Sequence, residues 1–181
     1  MGAAMSNVLL SISGHDRPGI VRDVAESMLH LKANIEDSSM TALRGRFTMM
    51  LIVKLPEERS IGELKAALAE LEQRTRLTVQ SQVISDEEAS CQAQEPDHVI
   101  TVHGADTVGI VHAVTNALAS LNVAIVDVST QSRESDEASV YLMVLEVAAC
   151  GQSDAMQAAL KNVAGDLDID IDVHQLDDAV L

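Results

Sequence analysis

Gly14-His15-Asp16-Arg17-Pro18-Gly19-Ile20-Val21 returns 90 residues later as Gly104-Ala105-Asp106-Thr107-Val108-Gly109-Ile110-Val111. At the same offset Asn34-Ile35-Glu36-Asp37 answers to Ala124-Ile125-Val126-Asp127. A period of this length exceeds a solenoid repeat and matches a small domain. The 181-residue chain therefore reads as two copies of one module. Each copy is marginal in size, so the copies are expected to pack together and the chain to form a homo-oligomer.

Around the repeated phrase the local signals run in one order. Val8 to Ser13 is a short apolar run that stops at Gly14, consistent with a strand. Ile20, Val21, Val24, Ala25, Met28 and Leu29 then recur at helical spacing. Asp16 is placed as the helix N-cap, with Pro18 suited to the first turn. Residues 34–43 and 46–55 read as extended segments around the hairpin signal Arg44-Gly45-Arg46. Ser60-x-x-Glu63 is a capping box opening a helix with Leu64, Leu68 and Leu71 inward. Leu77, Val79, Ser81 and Val83 alternate with polar residues and give a last strand.

The second half retraces this. Val99–His103 is a strand, and Ile110, Val111, Val114, Leu118 and Leu121 share a helix face. Residues 125–133 and 138–147 make the hairpin, with a turn four residues longer because Tyr141 answers to Phe47. Ser153 is expected to cap a helix carrying Met156, Leu160 and Val163 inward. The row Asp166, Asp168, Asp170 and Asp172 reads as the solvated face of a final strand around Ile169, Ile171 and Val173. Each half is thus β-α-β-β-α-β, and the fold class is α+β: two ferredoxin-like modules, each an antiparallel sheet with two helices on one face. The modules span 7–84 and 98–176, with 85–97 as a polar, acidic, aperiodic linker.

Charge narrows the function. Residues 1–85 carry ten basic and ten acidic side chains, whereas residues 86–181 carry two and 18, so the whole −16 falls in the linker and second half. Such a surface repels polyanions, and the sequence offers no basic patch, so direct nucleic-acid binding is not expected. An acidic docking face for a partner protein is expected instead, around Glu134, Asp136 and Glu137. No apolar run reaches the length of a membrane span, and Met1 to Met5 lacks signal-peptide character. Cys91 and Cys150 read as unpaired thiols of a cytoplasmic protein. No metal spacing, phosphate loop or nucleophile motif is found, and one Phe, one Tyr and no Trp cannot form a base-stacking sheet. Neither catalysis nor a cofactor is expected.

The repeated turn has two readings. Gly19 and Gly109 fall where a missing side chain would let backbone N–H groups approach a ligand. A helix N-terminus favours an anion, and Asp16 or Asp106 could receive an ammonium, which together suit a free α-amino acid. An Asp at this place is equally a plain helix cap. His15 could meet a ligand carboxylate or only water.

The Asp-Arg-Pro-Gly-Ile-Val phrase, Asn34-Ile35 and the β-α-β-β-α-β order resemble the ACT domain, a regulatory module that binds amino acids. Two of them in such a chain resemble the glycine cleavage system transcriptional repressor group. The resemblance covers about residues 7–84 and 98–176. It implies a ligand near the first strand–helix loop and the opening of strand two, at an interface between modules. Carried over by position, the ligand-binding residues are Gly14, His15, Asp16, Arg17, Pro18, Gly19, Ile20 and Asn34, then Ala105, Asp106, Val108, Gly109 and Ile110. The implied ligand is an amino acid of glycine or serine kind. The implied partner is a transcription factor or, alternatively, a metabolic enzyme. Ala105, Val108 and Ala124 replace His15, Pro18 and Asn34, so the second copy is expected to be structural and the first to sense.

Overall fold

The computed structural model describes residues 6–92, 94–134 and 139–176. The chain divides into two units, Met1–Cys91 and Gln92–Leu181. The first runs β1 (Ser6–His15), α1 (Ile20–His30), β2 (Asn34–Leu43), β3 (Arg46–Leu55), α2 (Ile61–Thr75), β4 (Thr78–Ile84) and a short α3 (Asp86–Ala89). The second runs β5 (His98–Ala105), α4 (Ile110–Ser120), β6 (Ala124–Glu134), β7 (Ser139–Ala148), α5 (Ser153–Leu167) and β8 (Asp170–Gln175).

Alternation decides which sheet face is covered. Val8, Leu10 and Ile12 of β1 lie beside Phe47, Met49, Leu51 and Val53 of β3, all buried, because their side chains share one face at period two. α1 lays Ile20, Val24 and Met28 on that face, and α2 adds Leu64, Leu68 and Leu71. Both sheets are antiparallel and repeat the same order, β2-β3-β1-β4 and β6-β7-β5-β8. Tyr141 stands opposite Gly104 as Phe47 stands opposite Gly14, so the hairpins correspond as the sequence suggests. A register shift falls between Ile35 and Asp37 and again between Ile125 and Asp127.

Several local expectations change in the fold. α1 begins not at an Asp16 cap but at Gly19, which sits at φ 88° with no side-chain cap, and Pro18 lies before the helix. Its buried stripe is Ile20, Asp23, Val24, Ser27 and Met28; Val21 and Leu29 face outward, as Val111 does on α4. The Ser60 capping box forms as read. Ser153 does not cap α5, because Gln152 holds the N-cap place and the Ser153 hydroxyl meets His98 instead. Asp166 lies in α5 and Asp168 closes it in a left-handed conformation, so only Asp170 and Asp172 belong to the strand. The stretch read as an aperiodic linker contains α3, opened by a second capping box between Ser85 and Glu88. Asn7 of β1 donates from Nδ2 to Asp86 at 2.7 Å and ties this helix to the first sheet. The longer turn of the second hairpin, with Asp136 and Glu137, lies outside the described residues, as does the side chain of Glu134.

Candidate functional site

Three connections of the first unit meet at one end of its sheet. The Asp16 N–H donates to the Gly45 carbonyl at 2.9 Å, joining the β1–α1 loop to the β2–β3 turn. Gly14 lies so close to the α2–β4 junction that a Cβ placed there would stand 2.5 Å from Leu77 Cδ2. At the centre α1 opens on Gly19, whose left-handed backbone strains any residue with a side chain. No side chain caps the first turn of α1, so its N–H groups and the positive end of its dipole are open to an anion. The Asp16 carboxylate is exposed and makes no hydrogen bond among the described residues. Backbone donors beside a free carboxylate can hold the two charged groups of an amino acid.

Asp23 is the charged residue that sequence reasoning missed. It is only 6% exposed, and its carboxylate accepts from Arg22 Nη2 and from Arg17 Nη2, each at 2.7 Å. The Arg22 hydrogen bond, then that of Arg17, hold its pKa down to about 2. The available signal was an acid on the inward stripe, three residues after Ile20. This clamp gives Arg17 a structural partner and fixes the loop onto α1.

Asn34 is not part of that end. It pairs with Lys54, which pairs with Asn7, whereas Gly14 pairs with Phe47 at the other end of β3. Seven residue steps separate the two levels, about 23 Å of strand. The Asn34 amide donates to Glu36 at 2.9 Å. A groove of about 410 Å³ lies at this end, lined by Asn7, Glu36, Lys54, Glu57, Asp86, Ala89 and Ser90. Within one module a small ligand cannot touch both the Asp16 loop and Asn34.

In the second unit Gly109 repeats the left-handed start of its helix at φ 106°. Asp106, however, accepts from the Ser132 hydroxyl at 2.6 Å, so its carboxylate is already engaged by β6. Ala105 brings no polar side chain, and Val108 is fully exposed. Ile110, like Ile20, is buried at 2% exposure and serves the core. Ala124 stands opposite Ala148, where the first unit has Asn34 opposite Lys54.

The same end of the first unit carries five arginines. Arg44 and Arg46 flank the β2–β3 turn, Arg76 closes α2, and Arg17 and Arg22 hold Asp23. All five are exposed, and Asp16, Asp23 and Glu26 lie near them as counter-charges. The expectation that no basic patch exists is therefore corrected. The charges of residues 1–85 balance in number, and Arg17 and Arg22 are paired with Asp23 within this group.

A polar strap holds the second unit. Asp97 accepts the N–H groups of Ala149 and Cys150 at 2.7 and 3.1 Å and meets His98 Nδ1 at 2.8 Å. His98 Nε2 meets the Ser153 hydroxyl at 2.9 Å. Burial pushes the Asp97 carboxyl up, but the Ala149 N–H, His98 and the Cys150 N–H together outweigh it and hold it below the usual range. The Asp-His-Ser order invites comparison with a nucleophile triad. Here both ring nitrogens are engaged and the ring is 4% exposed, so the trio joins β5 to the start of α5 rather than facing a substrate. Among the described residues no cluster of three His, Cys, Asp or Glu side chains is placed to hold a metal. None of their helices is long and apolar enough to cross a membrane.

Known proteins share this architecture. The chain is 40% identical over 65 residues to a UPF0237 protein of Methanopyrus kandleri, covering 35% of this chain and 72% of that one. It is 30% identical over 80 residues to a UPF0237 protein of Streptococcus mutans, covering 43% and 91%. Each relative thus matches about one module. Among solved structures, a protein of unknown function from Galdieria sulphuraria is 25% identical with a TM-score of 0.77, covering 96% of this chain and all of that one. A protein described as a candidate glycine cleavage system transcriptional repressor gives a TM-score of 0.71 at 19% identity, covering 96% and 99%, a likeness of fold. The ACT domain profile matches twice, over residues 6–82 and 97–174, and the chain belongs to the ACT domain family as a tandem pair.

Proposed function

We propose that this protein is a non-catalytic regulator that senses a small amino acid with its first module and passes the signal to a protein partner. The observation that carries the reading is the uncapped start of α1 at Gly19 beside the unengaged Asp16 carboxylate. Donors for a carboxylate and an acceptor for an ammonium stand on one rigid loop, which the Gly45 hydrogen bond and the Arg17–Asp23 pair hold in place. In the second module the matching carboxylate is bound by Ser132, which supports a structural role for that copy. Asn34, at the far end of its own sheet, would reach such a ligand only from the first module of a second copy of the chain.

The output is transcriptional, through a partner that carries the DNA-binding element, in keeping with the description of the second structural neighbour. A ligand shifts such a contact only by binding the free and the complexed forms with different affinity. A metabolic enzyme as partner is the second reading, favoured by the family's regulatory character. Titration calorimetry against the twenty amino acids tests the sensing step. Binding of at least one small neutral amino acid is expected, and no binding of any would refute it. A gel shift with the purified chain on its own operator region tests the output, where tight sequence-specific retardation without a second protein would refute the partner.

A further inference from the structure

The start of α1 carries a charged cluster that the start of α4 lacks. Arg17, Arg22 and Asp23 of the first copy correspond to Thr107, His112 and Ala113 of the second. Yet both helices open on a left-handed glycine, at φ 88° and 106°. The fold therefore makes this turn without the cluster. Nor is a buried ion pair a strong source of stability, since apolar residues of similar volume often serve as well. What the cluster does is hold two guanidinium groups beside the helix start. Beyond its chain neighbours, a Cβ on Gly19 would have as its nearest atoms Arg22 Nη2 at 3.6 Å, Arg22 Cζ at 3.8 Å and Arg17 Nη1 at 3.9 Å. One on Gly109 would meet nothing within 4 Å.

We propose that Arg22, with Arg17, receives the carboxylate of the sensed amino acid and that Asp23 positions both, which rests on the reading of the first module as a sensor. The buried Asp23 carboxylate takes one guanidinium on each oxygen. Arg22 Nη2 at 2.7 Å and Nε at 3.2 Å meet Oδ1, and Arg17 Nη2 at 2.7 Å meets Oδ2. Arg17 Nη1 also donates to the Pro18 carbonyl at 3.2 Å. A guanidinium has more N–H donors than these bonds use, and two guanidinium groups outweigh in charge the one carboxylate they share. Glu26, the other acid acting on Arg22, is paired with Arg74 at 3.0 Å. Donors and positive charge are thus left over beside the open N–H groups of α1, and the fixed fork of an arginine matches a carboxylate. Thr107 and His112 offer no such fork beside Gly109, so the proposed division into a sensing and a structural copy acquires a chemical basis.

Titration calorimetry of the full chain with glycine, L-alanine and L-serine, each beside its primary amide, tests this. The amide keeps the ammonium and lacks the carboxylate charge. The parent should bind at least one of these amino acids about 10- to 100-fold more tightly than its amide. The Arg22 side chain is 79% exposed, so its replacement spares the core. Arg22→Gln should lower the preference about tenfold with the amide bound as by the parent, and Arg22→Lys, which keeps the charge, should recover part of it. Asp23→Asn should lower the preference as well. Installing the residues of the second copy, Arg17→Thr, Arg22→His and Asp23→Ala, should keep the circular dichroism of the parent and remove most of the preference. A preference unchanged in Arg22→Gln and in the triple variant, or an equal loss of amino acid and amide, would overturn the assignment and leave the sensing role standing. Binding of none of the three amino acids by the parent would instead overturn the sensing role and the assignment with it.

Discussion

Gly14 and Gly104 are equivalent in the repeat, yet adding a methyl group to each should have unequal consequences. At Gly14 the new Cβ would meet Leu77 Cδ2 at 2.5 Å and the Leu77 Cα at 3.4 Å. The tight contact is the far end of a flexible side chain, which can swing aside within its rotamers. At Gly104 the Cβ would meet Ile169 Cγ2 at 2.7 Å, its Cβ at 3.2 Å and its Cα at 3.3 Å. A β-branched side chain is stiff at χ1, and no rotamer moves a Cβ or a Cα, so the strand itself must shift. Overpacking costs about 1–3 kcal/mol, offset in part by the alanine gain against the unfolded chain. Gly14→Ala should therefore lose about 1 kcal/mol and Gly104→Ala about 3 kcal/mol. Urea unfolding can assign each loss to its unit, because Tyr141 is the one tyrosine, the chain has no tryptophan, and Tyr141 lies in the second core. With a slope near 1.5 kcal/mol per molar, Gly104→Ala should bring the tyrosine-detected midpoint down by about 2 M. Gly14→Ala should leave that midpoint in place and shift only the circular dichroism of the first unit. An equal loss at both sites, or a neutral Gly104→Ala, would refute the reasoning.

Asp16→Asn should keep the fold but weaken amino-acid binding by about 10- to 100-fold in calorimetry, the worth of one charge-assisted hydrogen bond. Asn34→Ala should weaken it through a second copy of the first module, and parent-like binding by both variants would place the ligand elsewhere. Asp97→Ala strands the N–H of Ala149, a residue 1% exposed, and should lower the tyrosine-detected stability by about 2–4 kcal/mol. Asp97→Asn, which keeps an acceptor oxygen, should lose less in the same urea titration. Asp23 has its pKa lowered to about 2, so its contribution is full above the unfolded value near 3.9 and lost as pH falls toward 2. Denaturation midpoints between pH 5 and 2 should drop more steeply for the parent than for Asp23→Asn, and parallel curves would show that the clamp contributes nothing.

Signals confined to a few neighbouring residues were legible before the structure. The Ser60–Glu63 box, the Arg44-Gly45-Arg46 turn and the period-two strands each specify themselves locally, and the 90-residue echo repeats the strands and the glycine-led helices. The illegible parts depend on where the chain is carried. Asp16 has the chemistry of a cap, but its N–H is drawn to Gly45 and the helix begins three residues later at a glycine. Ser153 is an equally plausible cap by type, until the fold brings His98 to it from 55 residues away. Asn34 stands with Asp16 in the family pattern but not in one module, because β1 and β2, both antiparallel to β3, run in the same direction. The arginines at 17, 22, 44, 46 and 76 are scattered in sequence and meet only because three loops share one sheet end.

Divergence between the copies is concentrated where the duplicated fold leaves side chains free to change. The core positions Val24 and Val114, or Leu51 and Leu145, keep their character, since a packed interior tolerates little change in volume. The loop ends carry no such constraint, and there the copies differ in charge. Asp16 is free where Asp106 is bound, and Arg76 stands where Asp168 does. The backbone needs a left-handed residue at that helix end in both units, but places no demand on the sign of its charge. A duplicated module can in this way hold one copy open to a ligand and give the other a surface of opposite charge, without altering the geometry that both inherit.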